Sequence, residues 1–294
     1  MISVLIPTFN TDVSPLVDFL LRQNDFSSFK MEIIIWDDAS NIASLGLWDN
    51  EIVSFFKSPV NMGRSMTREL LAEKAKYHYL LFLDADVLPV STLFLAKYLQ
   101  HASEDSVLVG GIKYENDEPE SNLYFRWFYG KAREENSVGN RLKNPYDHFM
   151  TGNFLVPKSI FLKFPLHDII TGYGHEDTLL GYKFQQAGIP IKHIDNPVFH
   201  LGLEENEVFF AKSKEAVSSL LQLKQLGYTI PSKLINGYNL LERMNLVTFF
   251  SMFYPLFESV FLKNYIFSGN IFSLFFFDLS RLLYFCKLSL KRGK

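Results

Sequence analysis

Apolar and polar positions along the first hundred residues alternate between two rhythms. "ISVLIP" (residues 2–7) is a short apolar run stopped by a proline, which predicts a strand. "SPLVDFLLRQN" then places Leu16, Val17, Phe19, Leu20 and Leu21 at helical spacing, with Ser14 as the expected N-cap and Pro15 at the first helical position. "EIIIWDDAS" and "IVSFFKS" read as the second and third strands, "SMTRELLAEKAKY" as a helix and "YLLFLDAD" as a fourth strand. A helix over "STLFLAKYLQHA", capped by Ser91, and a fifth strand over "SVLVGGIKY" follow. Nearly continuous apolar strands alternating with helices predict an α/β fold with a mainly parallel sheet covered on both faces.

The rhythm breaks after residue 112. Residues 113–148 are polar and read as a loop-rich segment carrying an aromatic knot: Tyr124, Phe125, Trp127, Phe128 and Tyr129. The knot suits core packing; a lid or a sugar-stacking surface is the competing reading. "GYGHEDTLLGYKFQQAG" predicts a loop, a helix from Glu176 or Asp177, and a stop at Gly188. "IKHIDNPVFHLG" is a short strand with a turn, and from about Glu204 the chain is expected to be helical. The predicted boundary therefore separates a domain over 1–205 from a helical region over 206–294.

Composition narrows the functional classes. A hydrophobic share of 48% and a charged share of 21% support a packed core, and a net charge of −3 leaves no electrostatic footprint for nucleic acid. Cys286 is the single cysteine, which suits a reducing compartment. "MISVLIPTFN" has neither a basic start nor a long apolar core, so no signal peptide is expected and a cytoplasmic location is.

Candidate chemistry sits where apolar strands end. Asp37 and Asp38 follow "EIIIW", and Asp84 and Asp86 follow "YLLFL". Open parallel sheets bind ligands beyond the carboxyl ends of their strands. If the backbone stays extended, Asp84 and Asp86 point to the same side, where a hard divalent ion would relieve their repulsion. Two solvated acids on a turn are the alternative.

"VLIPTFN", "IIIWDDAS", "NMGRSMTRELLAEKA", "LLFLDADVLP", "TGNFLV" and "GYGHEDTLLGYKF" come in an order and at spacings that resemble the inverting glycosyltransferases of family 2. The "GHED" region is also similar to the C-terminal part of β-1,4-galactosyltransferases and bacterial chondroitin polymerases. The resemblance implies a GT-A fold over 1–205, with a nucleotide-binding half (1–112), an acceptor-binding half (113–205) and a C-terminal helical, Phe-rich appendage. By this likeness Pro7, Phe9, Asp37 and Asp38 hold the base and ribose, with Asp38 accepting the uracil imide N–H. Asn61, Gly63 and Arg68 fall on further nucleotide contacts, although Thr67 and Glu69 stand where the family pattern has Ala and Asn. A plain turn before a helix is the alternative for Asn61 and Gly63.

Asp84 and Asp86 match the family's metal motif for Mn²⁺ or Mg²⁺, Asp86 binding the ion directly and Asp84 also serving the nucleotide. His200 matches a further ligand found in some members. Asp177 falls on the family's general base and Glu176 on an acceptor-hydroxyl contact. Two ordinary acids at a helix N-terminus are the alternative, and that alternative predicts a lowered pKa. Gly152 and Asn153 fall on the sugar pocket, and Gly172 and Gly174 free the backbone of the neighbouring loop. The implied function is metal-dependent inverting transfer of a hexose or N-acetylhexosamine from a UDP-sugar to a glycan or lipid-linked glycan in surface polysaccharide synthesis. A noncatalytic nucleotide-sugar or glycan-binding protein competes with it. So does a sugar-nucleotide pyrophosphorylase, but "IPTFNTDVSP" lacks that class's glycine-rich basic loop.

The chain holds 29 Phe, crowded between Phe249 and Phe285. Uncharged stretches over 244–257 and 264–277 fall short of the ~20 apolar residues of a spanning helix. They are interrupted by Glu258, Lys263, Asp278 and Arg281. Peripheral contact of 244–294 with the inner face of a membrane is expected, aided by Lys287, Lys291, Arg292 and Lys294. A soluble helical subdomain or a dimer interface is the alternative.

Overall fold

The computed structural model of the protein describes every residue except 25–28, 42–47, 49, 168, 170, 171, 262–266, 268, 270, 293 and 294. Lys263, Asn264 and Lys294, part of the reading of the C-terminal region, lie outside the described residues. The chain divides into two compact units. The first comprises Met1–Glu115, Glu134–Ile169 and Glu176–Gly202; the second comprises Asn116–Arg133, Ile170–His175 and Leu203–Lys294.

The first unit is built on a seven-stranded sheet. Its early strands are β1 (Ile2–Thr8), β2 (Met31–Asp37), β3 (Val53–Lys57) and β4 (Tyr79–Leu83), all parallel in the order β3-β2-β1-β4. Ile2, Val4, Leu5 and Ile6 of β1 and Leu80 to Leu83 of β4 are fully buried, as strands covered on both faces must be. Helix α2 (Arg64–Lys74) packs on β1 and β2 with Leu71 and Ala72 buried, and α1 (Ser14–Asn24), with Val17 and Leu20 buried, packs on the short strand after β4. Both α1 and the helix after β4 differ from expectation at their starts. Ser14 is already helical, and Asp12 Oδ1 accepts its N–H at 2.9 Å, so Asp12 is the capping acceptor. Ser91 Oγ accepts from Leu93 N in a turn, and α3 begins only at Phe94 (Phe94–His101).

The expected fifth strand is two strands in two sheets. β6 (Val107–Val109) belongs to the large sheet and β7 (Ile112–Lys113) to a three-stranded sheet, with Gly110 and Gly111 between them. Gly111 has φ +94°, open to glycine and strained for other residues. The sheet is also more mixed than expected: β8 (Asn153–Pro157) runs antiparallel between β4 and β6, and β9 (Ile191–His193) then pairs parallel with β6. The small sheet joins β5 (Val87–Pro89), β10 (Val198–His200) and β7.

Residues 113–148 are not the loop-rich segment expected. They contain α4 (Ser121–Arg133) and α5 (Val138–Arg141). Short α6 (Lys158–Phe161) follows β8, and α7 (Glu176–Gln186) carries the "GHED" acids in its first turn and stops before Gly188, at φ +67°.

The second unit is helical: α4, α8 (Asn206–Gln225), α9 (Lys233–Arg243), α10 (Val247–Phe261) and α11 (Ile271–Arg292). Aromatic burial holds it together. Phe125 of α4 is fully buried against the rings of Phe209 and Phe277, and Asn206 Oδ1 accepts the Phe125 N–H at 3.0 Å. The aromatic knot is thus largely core, with Trp127 only 9% exposed. A second cluster packs Val217, Leu221, Tyr238, Phe285 and Cys286 together. Among the described residues no helix is long and apolar enough to cross a membrane.

Candidate active site

The rim of the large sheet is where the acids gather. β4 ends at Leu83, the chain turns through Asp84, Ala85 and Asp86, and β5 continues in the other sheet. Because the backbone turns here, the two carboxylates find different partners. Asp84 Oδ1 accepts from Arg68 Nη2 at 2.7 Å, the Arg68 side chain being only 6% exposed. Asp86 Oδ2 lies 3.7 Å from His200 Nε2. The small sheet makes that approach: β10 runs antiparallel to β5 with His200 opposite Val87, so His200 lands beside Asp86. An added Cβ at Gly202 would lie 2.1 Å from Asp86 Oδ2, so only glycine leaves room for this carboxylate.

The two acids are electrostatically split. Burial raises the pKa of Asp86; His200 opposes that shift and Asp84 adds to it. Burial also acts on Asp84, but the charges of Arg68, Arg64 and His200 outweigh it and hold its carboxyl below the usual range. Neighbouring carboxylates pushed in opposite directions are a frequent mark of functional sites.

Glu176 and Asp177 open α7. An acid at a helix N-terminus should have a lowered pKa, yet Asp177 is pushed up to about 6 by burial and the neighbouring Glu176. Hydrogen bonds to its Oδ1 from the Thr178 N–H (2.7 Å) and hydroxyl (3.3 Å), and the charge of Arg68, oppose the rise without cancelling it. Arg68 thus acts on both Asp84 and Asp177. His175, just before these acids in the chain, is held neutral by burial and Arg281, down to about 3.

At the nucleotide end, Pro7 and Phe9 lie at and just past the end of β1, and Phe9 is 48% exposed. Asp37 is fully buried; its Oδ1 accepts from Ser40 N at 2.9 Å and its Oδ2 pairs with Lys57 at 3.2 Å. Asp38 is 5% exposed, and its two oxygens accept the N–H groups of Met62 (2.7 Å) and Gly63 (2.8 Å). Its carboxylate is therefore turned into the Asn61–Gly63 turn, where two backbone donors satisfy it, and not toward an open base pocket. Asn61 Nδ2 donates to the Asp38 carbonyl at 3.3 Å, and Gly63, at φ +85°, leads into α2. Asn61 and Gly63 thus lie in the connection that leads into α2.

Gly152 and Asn153 reach the rim because β8 starts opposite the end of β4, Asn153 pairing with Leu83. An added Cβ at Gly152 would come within 2.9 Å of Asp84 Oδ2. Asn153 departs from its expected sugar contact. It is 1% exposed, its Oδ1 accepts from Tyr98 at 2.6 Å, and its Nδ2 donates to the Gly111 (2.9 Å) and Asn196 (3.0 Å) carbonyls. A fully bonded buried amide is a strut between the sheets.

Among the described residues no group of three or more His, Cys, Asp or Glu side chains is arranged to hold a metal, because Asp84 turns to Arg68. The remaining pair fits one. Asp86 and His200, 3.7 Å apart, are too far to hydrogen-bond, and a carboxylate beside an imidazole is a donor set that would suit a divalent ion. His200 Nδ1 and Arg68 Nε are buried without hydrogen-bond partners among the described residues.

Three participants had been overlooked. Arg64 acts electrostatically on both Asp84 and Asp86; its i, i+4 relation to Arg68 on α2 was the available signal. The buried Tyr114 ring lies 5.4 Å from that of His200, and Gly202 makes room for Asp86; neither had a sequence signal.

An acid-tipped sheet rim with an adjoining small sheet and a partly buried carboxylate on α7 is the arrangement expected of a glycosyltransferase of GT-A fold that uses a nucleotide sugar. A family model described as glycosyl transferase family 2 matches residues 3–163, over half of the chain, and the protein belongs to that family. A solved structure of the mannosyltransferase PcManGT from Pyrobaculum calidifontis, in complex with GDP-Man and Mn²⁺, has a TM-score of 0.52 at 14% identity, covering 78% of this chain and 65% of that one. S. aureus TarS gives 0.48 at 17% identity, covering 83% and 43%. Glucosyl-3-phosphoglycerate synthase from Mycobacterium tuberculosis, in complex with Mn²⁺, UDP and glucosyl-3-phosphoglycerate, gives 0.49 at 16% identity, covering 79% and 81%. The chain thus spans less than half of TarS and about two thirds of the mannosyltransferase. Comparison with curated proteins finds no match. The family match stops at residue 163, so the likeness of the "GHED" region to galactosyltransferases and chondroitin polymerases stands on its own residues alone.

Proposed function

We propose that the protein transfers a hexose or N-acetylhexosamine from a UDP-sugar, with inversion, to a hydroxyl of a glycan or lipid-linked glycan. The observation that carries this reading is the partly buried carboxylate of Asp177, its pKa pushed up to about 6, which feels the charge of Arg68, the ion-pair partner of Asp84 at 2.7 Å. A carboxyl in that range is largely ionised at neutral pH and basic enough to take a proton, a role worth about 10²–10⁴-fold in rate. Asp177 removes the acceptor hydroxyl's proton as its oxygen attacks the anomeric carbon. Glu176, one residue earlier, binds acceptor hydroxyls.

Asp86 and His200 would hold the divalent ion, Mn²⁺ in preference to Mg²⁺ because one ligand is an imidazole. When bound, the ion offsets charge on the departing diphosphate. Arg68 and Arg64 approach the same acids from α2 and add positive charge there. Asp84 would add a carboxylate to the ion's ligands, and Arg68, whose Nε is buried without a hydrogen-bond partner among the described residues, would offer that N–H to a phosphate oxygen. Phe9 offers the base an exposed ring. Asp38 contributes by shaping the Asn61–Gly63 turn. The pyrimidine assignment follows the sequence resemblance.

The second unit is proposed to touch a membrane's inner face. Phe249, Met252, Phe253 and Leu256 form a helical stripe on α10, each 43–74% exposed. Surface polysaccharide synthesis on a lipid-linked acceptor suits that placement.

A thermal-shift screen of UDP, GDP and CMP with and without Mn²⁺ tests the donor site. A shift by UDP that needs Mn²⁺ and is absent with GDP and CMP supports the reading; equal response to all three nucleotides contradicts it.

A further inference from the structure

The second unit contains a cavity of about 360 Å³ walled by α4, α9 and α11. Its size falls in the range of small-molecule sites. Two chemistries meet in it. Leu234, Leu279, Leu282 and Phe275 supply an apolar wall, and Arg133, Lys233 and Arg281 supply three cations against the single carboxylate of Asp278. Among the described residues Asp278 pairs with Arg133 at 2.8 Å, whereas Lys233 and Arg281 have no ion-pair partner. Arg281 Nε is buried with no acceptor, although its guanidinium stacks 5.6 Å from the Phe277 ring. A buried donor left unpaired carries a desolvation cost that a bound anion would remove.

The mouth is apolar too. Phe275 lines the cavity while 60% exposed, and Phe272, one turn earlier on α11, is 65% exposed. A free inorganic anion would leave the Phe275 ring in water; a ligand with an apolar chain would cover it.

We infer that this cavity binds an amphipathic phosphate: a phosphoryl headgroup held by Arg281 and Lys233, with its apolar chain lying over Phe275. The inference is independent of the donor site and of the α10 stripe. Asp278 keeps Arg133 engaged, so the headgroup contacts are those of the two unpaired cations.

The probe is dihexanoyl-phosphatidic acid below its micellar concentration, titrated by calorimetry into the full chain with excess UDP present. Controls are inorganic phosphate and dihexanoyl-phosphatidylcholine. The expected result is saturable one-site binding of the phosphatidic acid, with no comparable binding of either control. Lys233→Gln and Arg281→Gln should each weaken it about tenfold, the effect of losing one charge-assisted contact. Arg281→Lys, which keeps the charge, should recover part of the loss and guards against a variant that fails to fold. The inference is overturned by an absence of saturable binding or by equal binding of inorganic phosphate. Affinity unchanged in both glutamine variants also overturns it. Phe253→Glu, on the α10 stripe, should leave this binding intact, so a failure of vesicle association and a failure of the cavity read differently.

Discussion

Asp177 carries the reaction's proton in this account, and its surroundings make distinct predictions. Its folded pKa of about 6 lies above the 3.8 of an ordinary aspartate, so the fold favours the neutral form. The associated stability is full below about pH 4 and is lost as pH rises through 6. Asp177→Asn keeps an acceptor for the Thr178 N–H and removes a partly buried charge. It should raise Tm at pH 7 by a few degrees and lower transfer by about 10²–10⁴-fold, with UDP binding unchanged. Unchanged turnover would remove Asp177 from the mechanism. The pH profile of kcat/KM should fall on the acid side with an apparent pKa near 6; a flat profile between pH 5 and pH 8 would contradict the base assignment. Asn153 is the opposite case. Removing its three-bonded amide by Asn153→Ala should cost about 2–4 kcal/mol in chemical denaturation. A stable variant with altered donor preference would restore the sugar-contact reading.

At the scale of elements, the strands of the nucleotide half were legible because burial on both faces writes itself as unbroken apolar runs. Helices α2 and α7 were legible from spacing and stop signals. The antiparallel β8 was not, since an apolar strand of five residues reads the same in either direction, and only β4 and β6 on either side set its sense. α4 was hidden because its aromatic residues serve the second unit's core and its polar face resembles a loop. The pairing of Asp86 with His200 depends on β5 and β10, three residues each, too short to announce themselves in sequence. Gly202→Ala tests that arrangement. Gly202 has no positive φ, so its Cβ acts only by crowding Asp86 Oδ2. The expected outcome is loss of the Mn²⁺-dependent shift by UDP in a protein of nearly normal Tm. Retention of the shift would separate Asp86 from the metal.

For the whole molecule, the sequence order of six motifs conveyed the family, and the match over residues 3–163 shows it. The C-terminal region was legible as helical and Phe-rich, but burial could not be read residue by residue. Phe277 and Phe285 are core, while Phe249 and Phe272 are more than half exposed. The proposed membrane contact rests on that exposed set. Phe253→Glu or Met252→Glu should abolish co-sedimentation with anionic vesicles while leaving Tm nearly unchanged, because both residues face outward; undiminished sedimentation would rule the stripe out.

Cation capture by the acids that cap β4, and with it the grip on a diphosphate, is tested most directly by measuring UDP affinity calorimetrically across a Mn²⁺ titration, in the native chain and in Asp86→Ala. The account predicts affinity that climbs with Mn²⁺, collapses in chelator and is missing from the variant. UDP bound just as tightly in chelator, or by Asp86→Ala, would contradict it.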